Sequence, residues 1–143
     1  MKENKCVLVC VTPQNSSERL IKAGRAIAQE KNIPLKICSV LNSINVPESQ
    51  SEIMENLYQL AKNYNAEMTL YFNDNPAITA AVYAMKVNAE NIVVGFPREN
   101  GSPFVQNIHM LTPKIPVTMV DTDGKIYQMN PEIVSRENKP AKV

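Results

Sequence analysis

The sequence predicts an α/β domain built on an open, mostly parallel five-stranded sheet with helices on both faces. Short apolar runs rich in β-branched residues, typical of strands buried on both faces, alternate with segments whose apolar residues recur at helical spacing. The length of 143 residues suits one domain with a core of its own. Strand–helix alternation at this spacing indicates βαβ units with right-handed crossovers.

The elements follow from local patterns. The predicted strands, in chain order, are residues 6–11, 35–41, 68–72, 91–95 and 115–120. Helix starts are predicted from Asn15 with Glu18, Ser49 with Glu52, Asn75-Pro76 and Ser102-Pro103. Asp123-Gly124 is a hairpin signal, so residues 125–129 are expected to return as an additional C-terminal edge strand. Residues 1–130 are therefore assigned to the domain and 131–143 to a flexible polar tail.

The charge balance is nearly even. Lys plus Arg number 15 and Asp plus Glu number 14, which gives a formal net charge of +1. This balance argues against nucleic acid as a partner, but leaves room for a local phosphate site. No run is long and apolar enough for membrane insertion, and no signal-peptide pattern follows the charged start. The expected location is cytoplasmic, either alone or as the soluble part of something larger.

The three cysteines and the single histidine do not form a recognisable metal or redox motif. Cys6 and Cys10 share a predicted strand about 13 Å apart, too far for a disulfide. They are interpreted, with Cys38, as small core residues in a reducing compartment. His109 is expected to be a partly buried or surface residue of the fourth helix. No catalytic residue and no metal ligand is assigned.

A ligand site is predicted beyond the carboxyl ends of the strands, where such sheets bind ligands. The turns that follow the first and fourth strands, residues 12–17 and 95–102, are small and polar and lead into helix N-termini suited to phosphate. The alternative is structural: Gly95 eases a turn, Arg98 is solvated and Ser102 caps a helix. There is no GxxxxGK[ST] and no GxGxxG after the first strand.

Residues 7–13 (VLVCVTP) and 16–23 (SSERLIKA) resemble the start of the universal stress protein-like domain in KdpD-type potassium sensor kinases. Residues 91–95 and 115–121 resemble later strands of the wider UspA family, so the resemblance covers about residues 5–121. It implies a sheet in the order 3-2-1-4-5, the fold of adenine-nucleotide alpha-hydrolase-like proteins, and frequent homodimers.

The resemblance also implies a nucleotide site. Thr12 and Pro13 would border an adenosine pocket, and Val40 and Leu41 would line the base. The phosphates would face Gly95, Arg98, Gly101 and Ser102. Ser16, Ser17 and Pro97 are assigned to the same nucleotide-binding site. ATP-binding members carry an acidic residue where this chain has Thr12 and a second glycine where it has Arg98. The resemblance therefore implies that binding of ATP or AMP is weak or lost.

Some KdpD-type domains bind cyclic di-AMP through a Ser-x-Ser pair and a Thr-Ala-x-Tyr-like stretch. Residues 49–51 (SQS) and 80–83 (AAVY) loosely resemble these. The interpretation favoured here is a helix start and a core stripe.

Taken together, the sequence indicates a regulatory or ligand-sensing domain of stress response or signalling, without catalytic turnover and without a certain cofactor. One alternative is a dimerising interaction module that holds partners without a ligand. Another is a nucleotide hydrolase of low turnover, which ranks last because no base or metal-binding acid is convincingly placed.

Overall fold

A computed structural model describes residues 4–12, 17–41, 48–97 and 103–130. The predicted tail, residues 131–143, lies outside the described residues. The strands are β1 (Cys6–Cys10), β2 (Leu35–Leu41), β3 (Glu67–Phe72), β4 (Ala89–Gly95), β5 (Val117–Val120) and β6 (Ile126–Met129). The helices are α1 (Glu18–Lys31), α2 (Glu48–Asn63), α3 (Pro76–Lys86) and α4 (Phe104–Leu111).

The six strands form one sheet in the order β3-β2-β1-β4-β5-β6. All pairs are parallel except β5 and β6, which are antiparallel. The predicted fold class and strand order are confirmed, and so is the additional edge strand. The Asp121 carboxylate accepts hydrogen bonds from the amides of Asp123 and Lys125, both at 2.9 Å, and so closes the hairpin.

The predicted helix start is confirmed for α3, and the starts of α1 and α2 differ from the predictions. Asn75 caps α3 by accepting a hydrogen bond from the Ile78 amide at 3.3 Å, with Pro76 in the first turn as predicted. Helix α1 begins at Glu18, so Glu18 is its first residue and not the third of a capping box. Helix α2 begins at Glu48, which places Ser49 inside the helix. The Ser-x-x-Glu spacing also occurs within helices, where residues three apart share a face.

Two apolar clusters cover the two faces of the sheet. One packs α1 and α2 against alternate strand residues such as Val9 and Ile37. The other packs α3 and α4 against the intervening positions, including Leu8 and Ile92. All three cysteines are buried and free, which confirms their assignment to the core. Among the described residues, no helix is long and apolar enough to cross a membrane.

Close packing of α1 on the sheet depends on Gly24. A Cβ at this position would lie 2.4 Å from Val9 Cγ2 and 3.1 Å from Leu35 Cδ1. Real Cβ atoms do not approach neighbours so closely, so only glycine lets this helix approach β1 as it does. That approach also sets where the first turn of α1 lies above the end of β1.

Candidate functional site

A cleft of about 380 Å³ opens at the carboxyl edge of the sheet, above the ends of β1, β2 and β4. Chain order reverses at this place, because β1 pairs with β2 on one side and with β4 on the other. Parallel sheets leave a crevice at such a switch point, since the connections on its two sides run to opposite faces. The starts of α1, α3 and α4 contribute Ser17, Pro76 and Phe104 to the walls.

The two turns proposed from the sequence do meet here. Thr12, which follows β1, and Gly95 to Pro97, which end and follow β4, line the same cleft. Backbone amides support both segments: the Val11 amide bonds to the Cys38 carbonyl at 2.9 Å, and the Phe96 amide to the Val120 carbonyl at 2.9 Å. The strand ends on either side of the cleft are therefore held by the sheet itself.

Apolar and sulfur-bearing side chains form the floor. Cys10, Cys38 and Val94 belong to the apolar cluster on the α3 and α4 face, and Val40 packs against that cluster. Ala80 of α3 belongs to the same cluster and also lines the cleft. A surface of this kind suits a flat apolar group such as a nucleobase better than it suits a charged one.

Burial raises the pKa of the thiols at this floor. Burial raises the pKa of Cys38 to about 12. The pKa of Cys10 is raised well above its ordinary value by burial, with a further increase from the nearby Cys38. Both groups are therefore neutral thiols at physiological pH. They add no negative charge that would repel a phosphate.

The rim on the α1 side carries the polar groups. The Ser17 hydroxyl donates to the Thr12 carbonyl at 2.9 Å, which ties the end of β1 to the start of α1. Arg19 Nε donates to the Asp121 carbonyl at 2.9 Å and so fixes the guanidinium above β5. Among the described residues that line the cleft, Arg19 alone is charged. The N-terminal amides of α1 and its positive dipole end lie on the same side.

Gly95 keeps space open beside that arginine. A Cβ on Gly95 would lie 3.8 Å from Arg19 Nη2 and 3.9 Å from Leu20 Cδ1, which is ordinary contact. Its backbone is not in the left-handed region, unlike that of Gly124. The fold therefore tolerates a methyl group at this position, whereas a ligand beside Arg19 would lose space to it.

The structure places some of the site residues predicted from the sequence in the cleft, one of them outside it, and leaves others outside the described residues. The structure brings together in the cleft Thr12, Ser17, Val40, Gly95 and Pro97. Leu41 is buried but does not line the cleft, because successive residues of a strand point to opposite faces and Val40 takes the cleft side. Outside the described residues lie Pro13, Ser16, Arg98, Gly101 and Ser102.

Several lining residues were missed by sequence reasoning: Cys10, Cys38, Arg19, Pro76, Ala80, Phe96 and Phe104. Arg19 lies at a helix start directly after a loop predicted to border the site. Its position in the sequence could therefore have indicated that it lines the cleft. The pairing of Cys10 with Cys38 depends on strand register, which the sequence does not specify.

In the second stretch that resembles a cyclic di-AMP site, residues 80–83, most side chains pack in the core. Ala80, Ala81 and Tyr83 are buried in α3. The Tyr83 hydroxyl shares a hydrogen bond of 3.0 Å with the Thr69 hydroxyl, and its ring meets Tyr71 edge to face with centroids 5.5 Å apart. His109 is half-buried in α4, in agreement with its assignment.

Known structures with the same architecture place this arrangement in context. No protein-family model matches the chain. No curated protein matches it either. A universal stress protein from Archaeoglobus fulgidus superposes with a TM-score of 0.65 at 17% identity, covering 79% of this chain and 90% of that one. The fold is that of the universal stress proteins.

Two further structures of this fold contain nucleotides. The Archaeoglobus fulgidus protein in complex with dAMP matches with a TM-score of 0.60 and 17% identity over 79% of this chain and 94% of the other. A universal stress protein in complex with cAMP matches with a TM-score of 0.64 and 21% identity over 82% and 97%. At these identities the comparison establishes shared architecture.

Proposed function

We propose that this chain is a universal stress protein-like regulatory domain that binds an adenine nucleotide weakly in the cleft between β1 and β4. The observation that carries the proposal is the meeting of the two turns at one cleft, with an apolar floor and Arg19 on the rim. The volume of about 380 Å³ lies within the usual range of small-molecule sites. Solved structures of the same fold hold dAMP and cAMP.

The cleft offers different surroundings to the two ends of a nucleotide. The base would lie on the apolar floor formed by Cys38, Val40 and Ala80. The phosphate would lie toward Arg19 and the first turn of α1, where a positive charge and the positive end of the helix dipole favour an anion. Gly95 would let the ligand approach the end of β4 closely.

Binding is proposed to be weak because one cationic side chain serves the described part of the rim. At the end of β1 the chain has Thr12, where the resemblance calls for an acidic residue in ATP binders. A weak site suits a domain that responds to changes in nucleotide level without turning the nucleotide over.

The first experiment is a thermal-shift panel of AMP, ADP, ATP, cAMP and cyclic di-AMP, followed by calorimetry on any ligand that shifts the melting temperature. A ligand that binds only the native state must raise that temperature. At least one of the mononucleotides is expected to do so. The absence of a shift with every adenylate at millimolar concentration would contradict the proposal.

Two charge-matched variants of α1 then test the placement of the phosphate. Arg19→Gln removes the cation at the rim and is expected to weaken nucleotide affinity about tenfold or more, the value of one charge-assisted hydrogen bond. Arg25→Gln is the control, because Arg25 donates to the Tyr64 carbonyl away from the cleft. Equal nucleotide affinities for the two variants would contradict the placement of the phosphate beside Arg19.

A second candidate function is dimerisation without a ligand, and it rests on the edge strand β6. Ile126 and Tyr127 are 55% and 40% exposed on this strand, and the Tyr127 ring packs against Phe96 with centroids 4.8 Å apart. Sheet edges of this kind pair readily with a second chain.

Light scattering after size-exclusion chromatography tests the dimer. The wild type is expected at twice the mass of one chain, and Ile126→Lys at the mass of a monomer. Ile78→Lys is the control, because Ile78 is similarly exposed, at 48%, on α3. A monomeric wild type would rule out this candidate.

A further inference from the structure

The floor of the cleft holds two thiols side by side. Cys10 of β1 and Cys38 of β2 are register partners in the parallel pairing of these strands. Both residues line the cleft, although they are only 9% and 1% exposed. Both are free. The sequence separates them by a whole βαβ unit, so only the fold brings them together.

The spacing of the pair disfavours a disulfide. Neighbouring strands lie about 4.8 Å apart, and side chains at register positions project in the same direction from the sheet. The Cβ atoms of a disulfide usually lie about 3.8 Å apart, and its sulfurs about 2.05 Å apart. Closing that bond would require the two Cβ atoms, which project side by side from the sheet, to tilt toward each other by about 1 Å within strands that are paired on both sides.

The same spacing suits one atom bridging the two sulfurs. Two metal–sulfur bonds of about 2.3 Å place the sulfurs up to about 4.6 Å apart when the ion is coordinated linearly. That upper limit is close to the general strand spacing of about 4.8 Å, so a linearly coordinated ion fits this pair of strands better than a sulfur–sulfur bond does. The bridging ion would lie in the cleft, which supplies its route of entry.

The surroundings select which ion can be held. Zinc in structural sites requires four ligands. In the part of the chain that the structure describes, no group of three or more His, Cys, Asp or Glu side chains is placed to hold a metal ion. Thiolate ligands favour soft ions such as Cu(I), and oxygen-seeking ions such as Mg²⁺ find no carboxylate on this floor. Two sulfurs in an apolar wall thus favour a soft ion that accepts two ligands.

We propose that Cys10 and Cys38 form a dithiol site for a thiophilic ion of low coordination number, with Cu(I) as its representative. Binding exchanges two thiol protons, released to solvent, for two metal–sulfur bonds, with no change in oxidation state. The ion would occupy the floor on which a nucleobase is proposed to lie. The site itself does not depend on nucleotide binding, because its ligands belong to this chain alone.

The test uses Cu(I) alone, under anaerobic conditions, in competition with a colorimetric Cu(I) chelator. The wild type is expected to retain one Cu(I) ion per chain in the presence of the chelator. Cys10→Ala and Cys38→Ala are each expected to weaken retention by more than about 100-fold, the upper end of the loss seen when only a group supporting a metal ligand is changed.

Cys6→Ala provides the matched control. Cys6 lies on the same strand and the same face as Cys10 and is fully buried, but its thiol donates to the Val87 carbonyl at 3.5 Å and does not line the cleft. This variant is expected to retain the ion as the wild type does. Equal loss in Cys6→Ala, or undiminished retention in both other variants, would overturn the proposal.

X-ray absorption of the copper-loaded wild type gives a reading that does not depend on how well the variants fold. Two sulfur neighbours are expected, at a distance shorter than the about 2.3 Å of four-coordinate zinc–sulfur bonds, because two-coordinate ions form shorter bonds. Nitrogen or oxygen neighbours, or an ion count near zero, would overturn the dithiol site. A nucleotide panel without any response would leave this result unaffected, so failure of one proposal is distinguishable from failure of the other.

Discussion

The two ends of β1 differ in what surrounds chemically similar residues. At the amino end, Cys6 is fully buried and its thiol contacts the Val87 carbonyl. At the carboxyl end, Cys10 lies on the same face of the same strand but borders an open cleft. Neighbouring residues cover the amino end of β1. At its carboxyl end a cleft remains, because α1 and α4 run to opposite faces of the sheet. The topology, more than residue type, thus determines where a ligand can enter.

Two glycines differ in the same way, one lying in tightly packed surroundings and the other beside the open cleft. Gly24 is required by packing, since a Cβ there would meet Val9 Cγ2 at 2.4 Å. Gly95 has space for a Cβ, with its nearest neighbour at 3.8 Å. The first glycine is therefore required by packing, whereas the second borders the cleft and is not required by packing.

The largest expected effect comes from exchanging these glycines for alanine. Gly24→Ala should lower the free energy of unfolding by about 1–3 kcal/mol, because an extra methyl group in a packed core forces neighbours to shift. Gly95→Ala should stay within about 0.5 kcal/mol of the wild type. Urea unfolding followed by circular dichroism measures both. Equal losses would remove the distinction between the two positions.

Alkaline pH should weaken the fold through its buried thiols. Burial raises the pKa of Cys6 to about 11 and that of Cys38 to about 12, from an ordinary value of 9.0. Above pH 9 the unfolded chain loses thiol protons that the folded chain keeps, so stability falls as pH rises.

Each thiol should contribute a loss of up to about 1.4 kcal/mol per pH unit, beginning near its unfolded pKa and ending near its folded pKa. Urea midpoints at pH 7 and pH 10 test this expectation, with Cys38→Ala as the comparison. A variant whose pH dependence matches that of the wild type would show that the Cys38 thiol does not carry the effect.

A smaller effect is expected at Tyr83, which lies in the stretch that resembles a cyclic di-AMP site. Tyr83→Phe removes the hydroxyl that pairs with Thr69 at 3.0 Å. The expected cost is about 0.5–1.5 kcal/mol of stability, the net value of one buried hydrogen bond. Mononucleotide affinity should be unchanged in calorimetry. A large loss of affinity with intact stability would instead give Tyr83 a ligand role.

Much of the fold could be predicted because strand burial and helical spacing are local properties. The meeting of the turns at Thr12 and Gly95 also followed, since carboxyl ends of parallel strands share one edge. The pairing of Cys10 with Cys38 could not be predicted, because register is set by contacts between distant segments. The placement of Leu41 away from the cleft follows from strand alternation once the side that Val40 faces is known.

The start of β5 shows how one residue type shifts a boundary. The strand was predicted from Ile115 but begins at Val117. Pro116 has no amide hydrogen to donate to the ladder. Its carbonyl still accepts from the Ile92 amide at 3.0 Å, so the chain is already aligned with β4 before the strand begins.

Mapping of AMP onto backbone amide resonances tests most directly that the open end of the sheet is a ligand site. Titration should shift the amides of Thr12, Ser17, Gly95 and Phe96 in a saturable manner. The amides of Cys6 and Lys36, at the other end of the strands, should remain in place. Shifts that centre on the amino ends of the strands, or an absence of saturable shifts at the cleft, would contradict the account.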